Sequence, residues 1–438
     1  MSGKLTLQGG KSLKGTVEVL GAKNAVSKQM VAAILTDQKC QLNRVGEVDD
    51  IAIVSDLIRT FGGQVSELKN NSISIEARNL KIVKQEVLRP FLKKSRIPIL
   101  FCGPLLHRLG EAIIPNLGGC EIGPRPVDFH LKALELMGAK IEENPLFYFL
   151  SAPDGLTGAK IRLDYPSVGA TEQVLLSAVT AKGLTELSNA AVEPEIIDLV
   201  LLLQKMGAKI SIDSDRTYLI RGVENLNGYT HTPIPDRMEA ASWACAALAT
   251  DGKILVKNAR QEHLLRFLDS FREAGGGFDI TDQGITFFQA KELAPVSIET
   301  DVHPGFMTDW LQPFVVVLTQ ANGPSVIHET VYENRFGFTS ELIKMGASIR
   351  IENRCLGSKA CRFGQMNHLH SAIITGPTKL KGIVAEIPDL RAGFSMVIAA
   401  LMADGVSTLE NINLINRGYA NFFDKLKAVG ANILEIKD

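Results

Sequence analysis

The sequence predicts an α/β protein built from six copies of one folding unit, and three observations lead there. A helix-like run ending in glycine, followed by a small residue and a strand-like run, recurs six times. An alanine-rich apolar helix followed by a short strand recurs in phase with it. The 438 residues are 45% apolar with only 6% aromatic, a composition suited to layered helices and sheets and long enough for two or three domains.

The glycine motifs are Phe61-Gly62-Gly63, Met137-Gly138-Ala139, Met206-Gly207-Ala208, Ala274-Gly275-Gly276, Met345-Gly346-Ala347 and Val429-Gly430-Ala431. Their first glycines lie 76, 69, 68, 71 and 84 residues apart. Each stands where a helix ends and the backbone turns through positive φ before a strand, a conformation glycine adopts without steric cost. The in-phase helix and strand pairs are 25–35 with 40–43, 172–181 with 185–189, 239–249 with 253–258, 310–319 with 325–329 and 393–402 with 407–411. The copy at 97–109 is less regular. Each unit reads strand–helix–strand–helix–strand, with one more strand between units. Alone, such a repeat is equally compatible with a packing solution that has no chemical meaning.

The final spacing of 84 marks an insertion at 353–370, which carries Cys355, Cys361, His368 and His370. Thiolates and imidazoles are zinc ligands by type, but Cys-x5-Cys-x6-His-x-His is not a standard ligand spacing. A polar loop that carries cysteines is therefore the expectation, and no metal site is assigned.

Composition excludes several classes. The formal net charge is −1, so no basic excess points to nucleic acid as a partner. The longest apolar runs, 314–318 and 396–402, fall well short of a membrane span, and the N-terminal residues show no signal-peptide core. Six cysteines without a CxxC pair suggest reduced thiols and a cytoplasmic protein. A monomer or weak homo-oligomer is expected.

Cations recur at the helix entrances. Lys23, Arg96, Arg237 and Arg391 precede or open the first helix of their units, and Arg125, Arg335 and Arg417 occupy turns before the second. Helix N-termini already attract anions through free N–H groups and the helix dipole, so added cations there suit binding of a polyanion. Any one of them could equally be a surface arginine paired with a neighbouring carboxylate. The loop Gly118-Gly119-Cys120-Glu121-Ile122-Gly123-Pro124-Arg125-Pro126 sets a thiol near an arginine, which can lower its pKa and make it an acid or nucleophile. Inert burial is the usual fate of a cysteine. The segment Pro304-Gly305-Phe306-Met307-Thr308-Asp309-Trp310 places an acid at a helix start, either as a cap or as a general base facing the cations.

These motifs, together with Gly21-Ala22-Lys23-Asn24-Ala25, Ser167-Val168-Gly169-Ala170-Thr171-Glu172, Glu333-Asn334-Arg335-Phe336, Asp389-Leu390-Arg391-Ala392 and Arg417-Gly418-Tyr419, carry a resemblance. From Leu5 onward the chain resembles the enolpyruvyl transferase family, in its UDP-N-acetylglucosamine 1-carboxyvinyltransferase branch. The resemblance implies six βαβαββ repeats forming an inside-out α/β barrel in two three-repeat domains, 22–233 and 1–21 plus 234–438, with the active site between them. It implies transfer of the enolpyruvyl group of phosphoenolpyruvate to the 3-hydroxyl of UDP-N-acetylglucosamine with release of phosphate, the first committed step of peptidoglycan precursor synthesis. It implies no cofactor.

By the same resemblance, Cys120 is the proton donor and the thiol that fosfomycin alkylates, and Asp309 takes the sugar hydroxyl proton. Lys23, Asn24, Arg125 and Arg417 hold phosphoenolpyruvate. Arg96, Arg125, Pro126, Val127, Asp128, Phe129, Ser167, Val168, Gly169, Asp309 and Val331 line the UDP-sugar site, with Asp50, Arg237, Arg335, Asp389 and Arg391 in support. Ser27-Lys28, Met307, Asn416, Ser95-Arg96-Ile97-Pro98 and the 353–370 insertion depart from the family's usual pattern, and none removes a catalytic group. Alternatives are another acceptor, such as a different uridine nucleotide or shikimate 3-phosphate, an RNA 3′-terminal phosphate cyclase built from similar units, and an inactive binding paralogue.

Overall fold

The computed structural model describes residues 3–118, 127–359, 361, 363 and 366–437. Among these, the strands form six separate sheets, five with four strands and one with three. The plan is plainest in the sheet that carries the insertion. Ser297–Glu299 pairs in parallel with Gly323–His328, which demands a crossover, and the helix Thr308–Leu318 supplies it. The helix Thr339–Lys344 then leads to Ser348–Glu352. The following strand, Ser371–Gly376, inserts antiparallel between Gly323–His328 and Ser348–Glu352. This is a βαβαββ unit with spatial order 1-2-4-3, and Lys160–Arg162, Leu184–Ser188, Lys209–Ile212 and Tyr218–Arg221 repeat it.

All six glycines of the repeat take positive φ, from +80° at Gly430 to +109° at Gly346. The helix-ending signal in the sequence was therefore a backbone requirement, since an L side chain at those angles is strained.

The helices fall into two classes for a physical reason. Arg237–Ala249, Thr308–Leu318 and Leu390–Met402 are buried on nearly every face and pack on one another. They are apolar all round, as a helix enclosed by others must be. Lys23–Ala32, Cys102–Leu109 and Val168–Ala178 are their counterparts in the other half of the chain. Outer helices bury a single stripe: Leu265–Glu273 buries Phe267, Leu268, Ser270 and Phe271 and leaves the rest to solvent. Among the described residues no helix is long and apolar enough to cross a membrane.

The described residues divide into two compact units, one taking residues up to Leu20 and from Pro235 onward, the other Gly21 to Ile234. In the first, strand Lys4–Gln8 lies between Val406–Glu410 and Asn432–Lys437, and Lys14–Glu18 pairs in parallel with Lys253–Lys257. In the second, Thr230–His231 returns to pair in parallel with Cys40–Leu42. Each unit is thus completed by a strand distant in sequence.

Candidate functional site

In the unit from Gly21 to Ile234, the candidate residues sit where helices begin. Lys23 is the first residue of Lys23–Ala32, and its Nζ lies 2.7 Å from Oδ2 of Asp50 in the first turn of the helix Asp49–Thr60. Asn24 follows it, half-buried. The Ser167 hydroxyl caps Val168–Ala178 by accepting from the Ala170 N–H at 3.3 Å, and Val168 and Gly169 in that first turn are half-buried. Val127 is the buried N-cap of Asp128–Leu136; Asp128 is exposed and Phe129 half-buried.

Arg96, at the entrance of the 3-10 turn Ile97–Phe101, acts electrostatically on His130. Burial, reinforced by that guanidinium, pushes the His130 imidazole down to about 3, so it is neutral at physiological pH. A Cβ on Gly169 would come within 2.7 Å of His130 Nε2, so Gly169 is glycine because the ring occupies that space. Arg96, His130 and Gly169 therefore form one group. Sequence reasoning missed His130, although its place in the first turn of a helix opened by Val127-Asp128 was a usable signal.

The Ser27-Lys28 departure also finds its partner here. Lys28 is buried and its Nζ lies 3.7 Å from Oε1 of Glu172, itself in the Ser167–Glu172 motif. Burial pushes the Glu172 carboxyl up to about 7; Lys28 opposes this, while Glu195 and Glu193 add to it.

In the other unit, Asp309 stands in the first turn of Thr308–Leu318 but does not cap it. The N-cap is Met307 with no side-chain bond, and the Thr308 hydroxyl donates instead to Glu329 at 2.9 Å. The capping alternative for Asp309 therefore fails. Asp309 Oδ1 accepts from the Arg335 guanidinium at 2.7 Å, and Oδ2 accepts from Arg391 Nε at 3.2 Å. Both arginines are buried, while the Asp309 side chain stays 22% exposed, so the carboxylate is fixed in direction yet open to a ligand. Asp389 caps Leu390–Met402 by accepting from the Arg391 and Ala392 N–H groups, which fixes the backbone that carries Arg391. Arg335 and Arg391 also stand over the rings of Tyr332 and Tyr419 at 5.7 and 5.4 Å.

Arg237 is buried with its guanidinium 5.4 Å from the Trp310 ring. Glu329 is fully buried and accepts from the Val331 and Tyr332 N–H groups at 2.6 and 3.0 Å, which fixes the turn carrying Val331. Arg417 ends the 3-10 turn Ile412–Arg417, half-buried; among the described residues its guanidinium enters no ion pair. Cys120, Arg125 and Pro126 lie outside the described residues.

The insertion residues separate. Cys355, Cys361 and His370 come together with His328, a residue the spacing gave no reason to include; His368 is not in the group.

Comparison with known proteins places these features in a family. A family model described as EPSP synthase (3-phosphoshikimate 1-carboxyvinyltransferase) matches residues 7–426. A UDP-N-acetylglucosamine 1-carboxyvinyltransferase of Protochlamydia amoebophila is 48% identical, covering 99% of this chain and 94% of that one. The Chlamydia muridarum protein of the same name is 47% identical, covering 98% of each. Among solved structures, the enolpyruvyl transferase NikO from Streptomyces tendae matches with a TM-score of 0.86 at 22% identity, covering 100% of this chain and 99% of its own. An EPSP synthase from Acinetobacter baumannii matches with a TM-score of 0.77 at 17% identity, covering both chains fully. At those identities the two structures speak for the fold.

Proposed function

Because the chain belongs to the enolpyruvyl transferase family, in its UDP-N-acetylglucosamine 1-carboxyvinyltransferase branch, we propose that it transfers the enolpyruvyl group of phosphoenolpyruvate to the 3-hydroxyl of UDP-N-acetylglucosamine. The product would be a precursor of peptidoglycan. The observation that carries the reading is Asp309, a carboxylate aimed by two buried guanidiniums and still reachable from solvent.

The proposed chemistry has two stages. In the addition, Asp309 takes the proton of the sugar 3-hydroxyl as its oxygen bonds to C2 of phosphoenolpyruvate, and the Cys120 thiol delivers a proton to the methylene carbon. In the elimination, the new methyl group loses a proton, the C2–O bond to phosphate breaks, and phosphate departs. Lys23, Arg125 and Arg417, with Asn24, are the proposed anchors of the phosphoenolpyruvate charges. Lys23 is held in place by Asp50, whereas Arg417 enters no ion pair among the described residues. Arg96, Ser167, Val168 and Gly169 are proposed to face the UDP-sugar, with the neutral His130 beneath them, and Val331 to contact it from its Glu329-bound turn.

The test is phosphate release. The protein with phosphoenolpyruvate and UDP-N-acetylglucosamine should liberate inorganic phosphate and form the enolpyruvyl ether. Release only with a different acceptor, such as shikimate 3-phosphate, would reject the substrate assignment while keeping the reaction. Absence of release with every acceptor would reject both. Cys120→Ser should sharply slow turnover, because an alcohol is a far weaker acid than a thiol.

A further inference from the structure

We propose that the 353–370 insertion is fastened to the sheet beneath it by a tetrahedral zinc ion held by His328, Cys355, Cys361 and His370. One ligand atom from each of these four side chains lies within 4.8 Å of the others. In a tetrahedral site with Zn–S of about 2.3 Å and Zn–N of about 2.0–2.1 Å, neighbouring sulfur and nitrogen ligands stand about 3.6 Å apart. Cys355 Sγ and His370 Nε2 are already 3.5 Å apart.

The strands explain how the group assembles. The insertion is the loop of the hairpin between Ser348–Glu352 and Ser371–Gly376. His328 is the last residue of Gly323–His328 and lies opposite Ser371, so the register sets it beside His370. Cys355 and Cys361 of this loop bring their sulfur atoms within 4.8 Å of the two imidazoles. The ligand pattern is therefore His-x26-Cys-x5-Cys-x8-His, with its first member outside the insertion.

Each imidazole is prepared for a metal by what its other nitrogen does. His370 is fully buried, and its Nδ1 donates to the His368 carbonyl at 2.8 Å, which directs Nε2 at the group. His328 is also fully buried; its Nδ1 is 3.3 Å from the Glu299 carboxylate, and its Nε2 is a buried nitrogen with no hydrogen-bond partner. Leaving such an atom unsatisfied is costly, and a metal would satisfy it. Outer carboxylates and carbonyls of this kind fix the tautomer of zinc-bound histidines.

The thiols are similarly arranged. The Phe363 N–H donates to Cys361 Sγ at 3.2 Å, a contact that stabilises a thiolate, and the buried Phe363 ring covers the group 6.0 Å from that of His370. Glu299 also accepts from the Ser358 and Lys359 N–H groups, both at 2.8 Å, so one carboxylate braces His328 and the loop together. Four protein ligands fill a zinc coordination sphere and leave no open position, which makes the site structural. Its mechanical target is close: Glu329, next to His328, holds both Thr308 and the turn of Val331.

The experiment is metal analysis of the full chain, purified with reductant and dialysed, together with cobalt substitution. About one zinc per chain is expected, and cobalt should give the intense ligand-field bands of a tetrahedral site with a sulfur-to-cobalt charge-transfer band. Cys355→Ser and Cys361→Ser, in loop positions that do not enter the core, should each lose the charge-transfer intensity of one thiolate and most of the bound zinc. Glu299→Gln should weaken zinc binding by about 10–100-fold. His368→Ala should retain the metal, because only the backbone carbonyl of His368 is used. Wild-type protein that holds no zinc and gives no tetrahedral cobalt spectrum would overturn the proposal. So would a Cys355–Cys361 disulfide under reducing conditions, or a His368→Ala chain that loses the metal.

Discussion

Glu172 should make stability fall as pH rises, and Glu172→Gln should remove that dependence. The carboxyl is fully buried beside Lys28, with Glu193 and Glu195 near, and its titration moves from an ordinary 4.5 to about 7. A carboxyl whose pKa is raised on folding binds its proton more tightly in the native state. Its contribution is then most favourable below pH 4.5 and is lost as pH climbs through about 7. The interval between those values, at about 1.4 kcal/mol per pH unit, amounts to about 3 kcal/mol. Glutamine mimics the protonated acid, so at pH 5, just above the unfolded value, the variant should be more stable than the parent by no more than about 1 kcal/mol. At pH 8 it should be more stable by up to about 3 kcal/mol. Urea unfolding followed by far-UV circular dichroism at pH 5, 6.5 and 8 measures the difference. A difference that stays constant across those pH values would refute the reasoning, and a destabilised variant at pH 8 would show that Lys28 requires the charged partner.

Three further outcomes follow from the same geometry. Asp309→Ala should lower kcat at least about 10²-fold while UDP-N-acetylglucosamine still binds, measured by steady-state kinetics and calorimetry; unchanged turnover would remove its role as base. Gly169→Ala drives a methyl group against His130, and overpacking of this kind costs about 1–3 kcal/mol. It should therefore raise KM for the UDP-sugar with a smaller effect on kcat, and an unaltered KM would mean the ring moves aside freely. Asp236 caps Arg237–Ala249 by accepting from the Met238 and Glu239 N–H groups, so Asp236→Ala should cost about 1 kcal/mol, visible as faster hydrogen exchange in that helix's first turn.

The parts of the fold legible in the sequence are those governed by local chain geometry. Six glycines announced six helix ends because positive φ is a property of one residue, readable without any neighbour. The apolar pattern places helix starts a few residues late, at 172 and 310 instead of Val168 and Thr308, because Gly169 and Thr171 in one first turn and Thr308 and Asp309 in the other interrupt it. Asp309 and its place at a helix entrance were legible, but its clamp was not, since Arg335 and Arg391 lie 26 and 82 residues away in the chain. His328 escaped for the same reason: strand register, not spacing, brings it to the cysteines. The Lys28 departure looked like a loss of motif and is instead half of a buried ion pair.

The strands that close each unit from a distance bear on how the chain assembles as it is made. Lys4–Gln8 and Lys14–Glu18 are made long before their partners, Lys253–Lys257, Val406–Glu410 and Asn432–Lys437. The unit from Gly21 to Ile234 has its sheet partners within its own span and can form while synthesis continues. Lys4–Gln8 must wait, its ladder groups unpaired, until Val406–Glu410 and Asn432–Lys437 are made. Contacts of such sequence separation fold slowly and leave exposed edges open to aggregation. A circular permutant that fuses the two termini and opens the chain near 235 would give both units contiguous sequences, and it should refold faster than the parent.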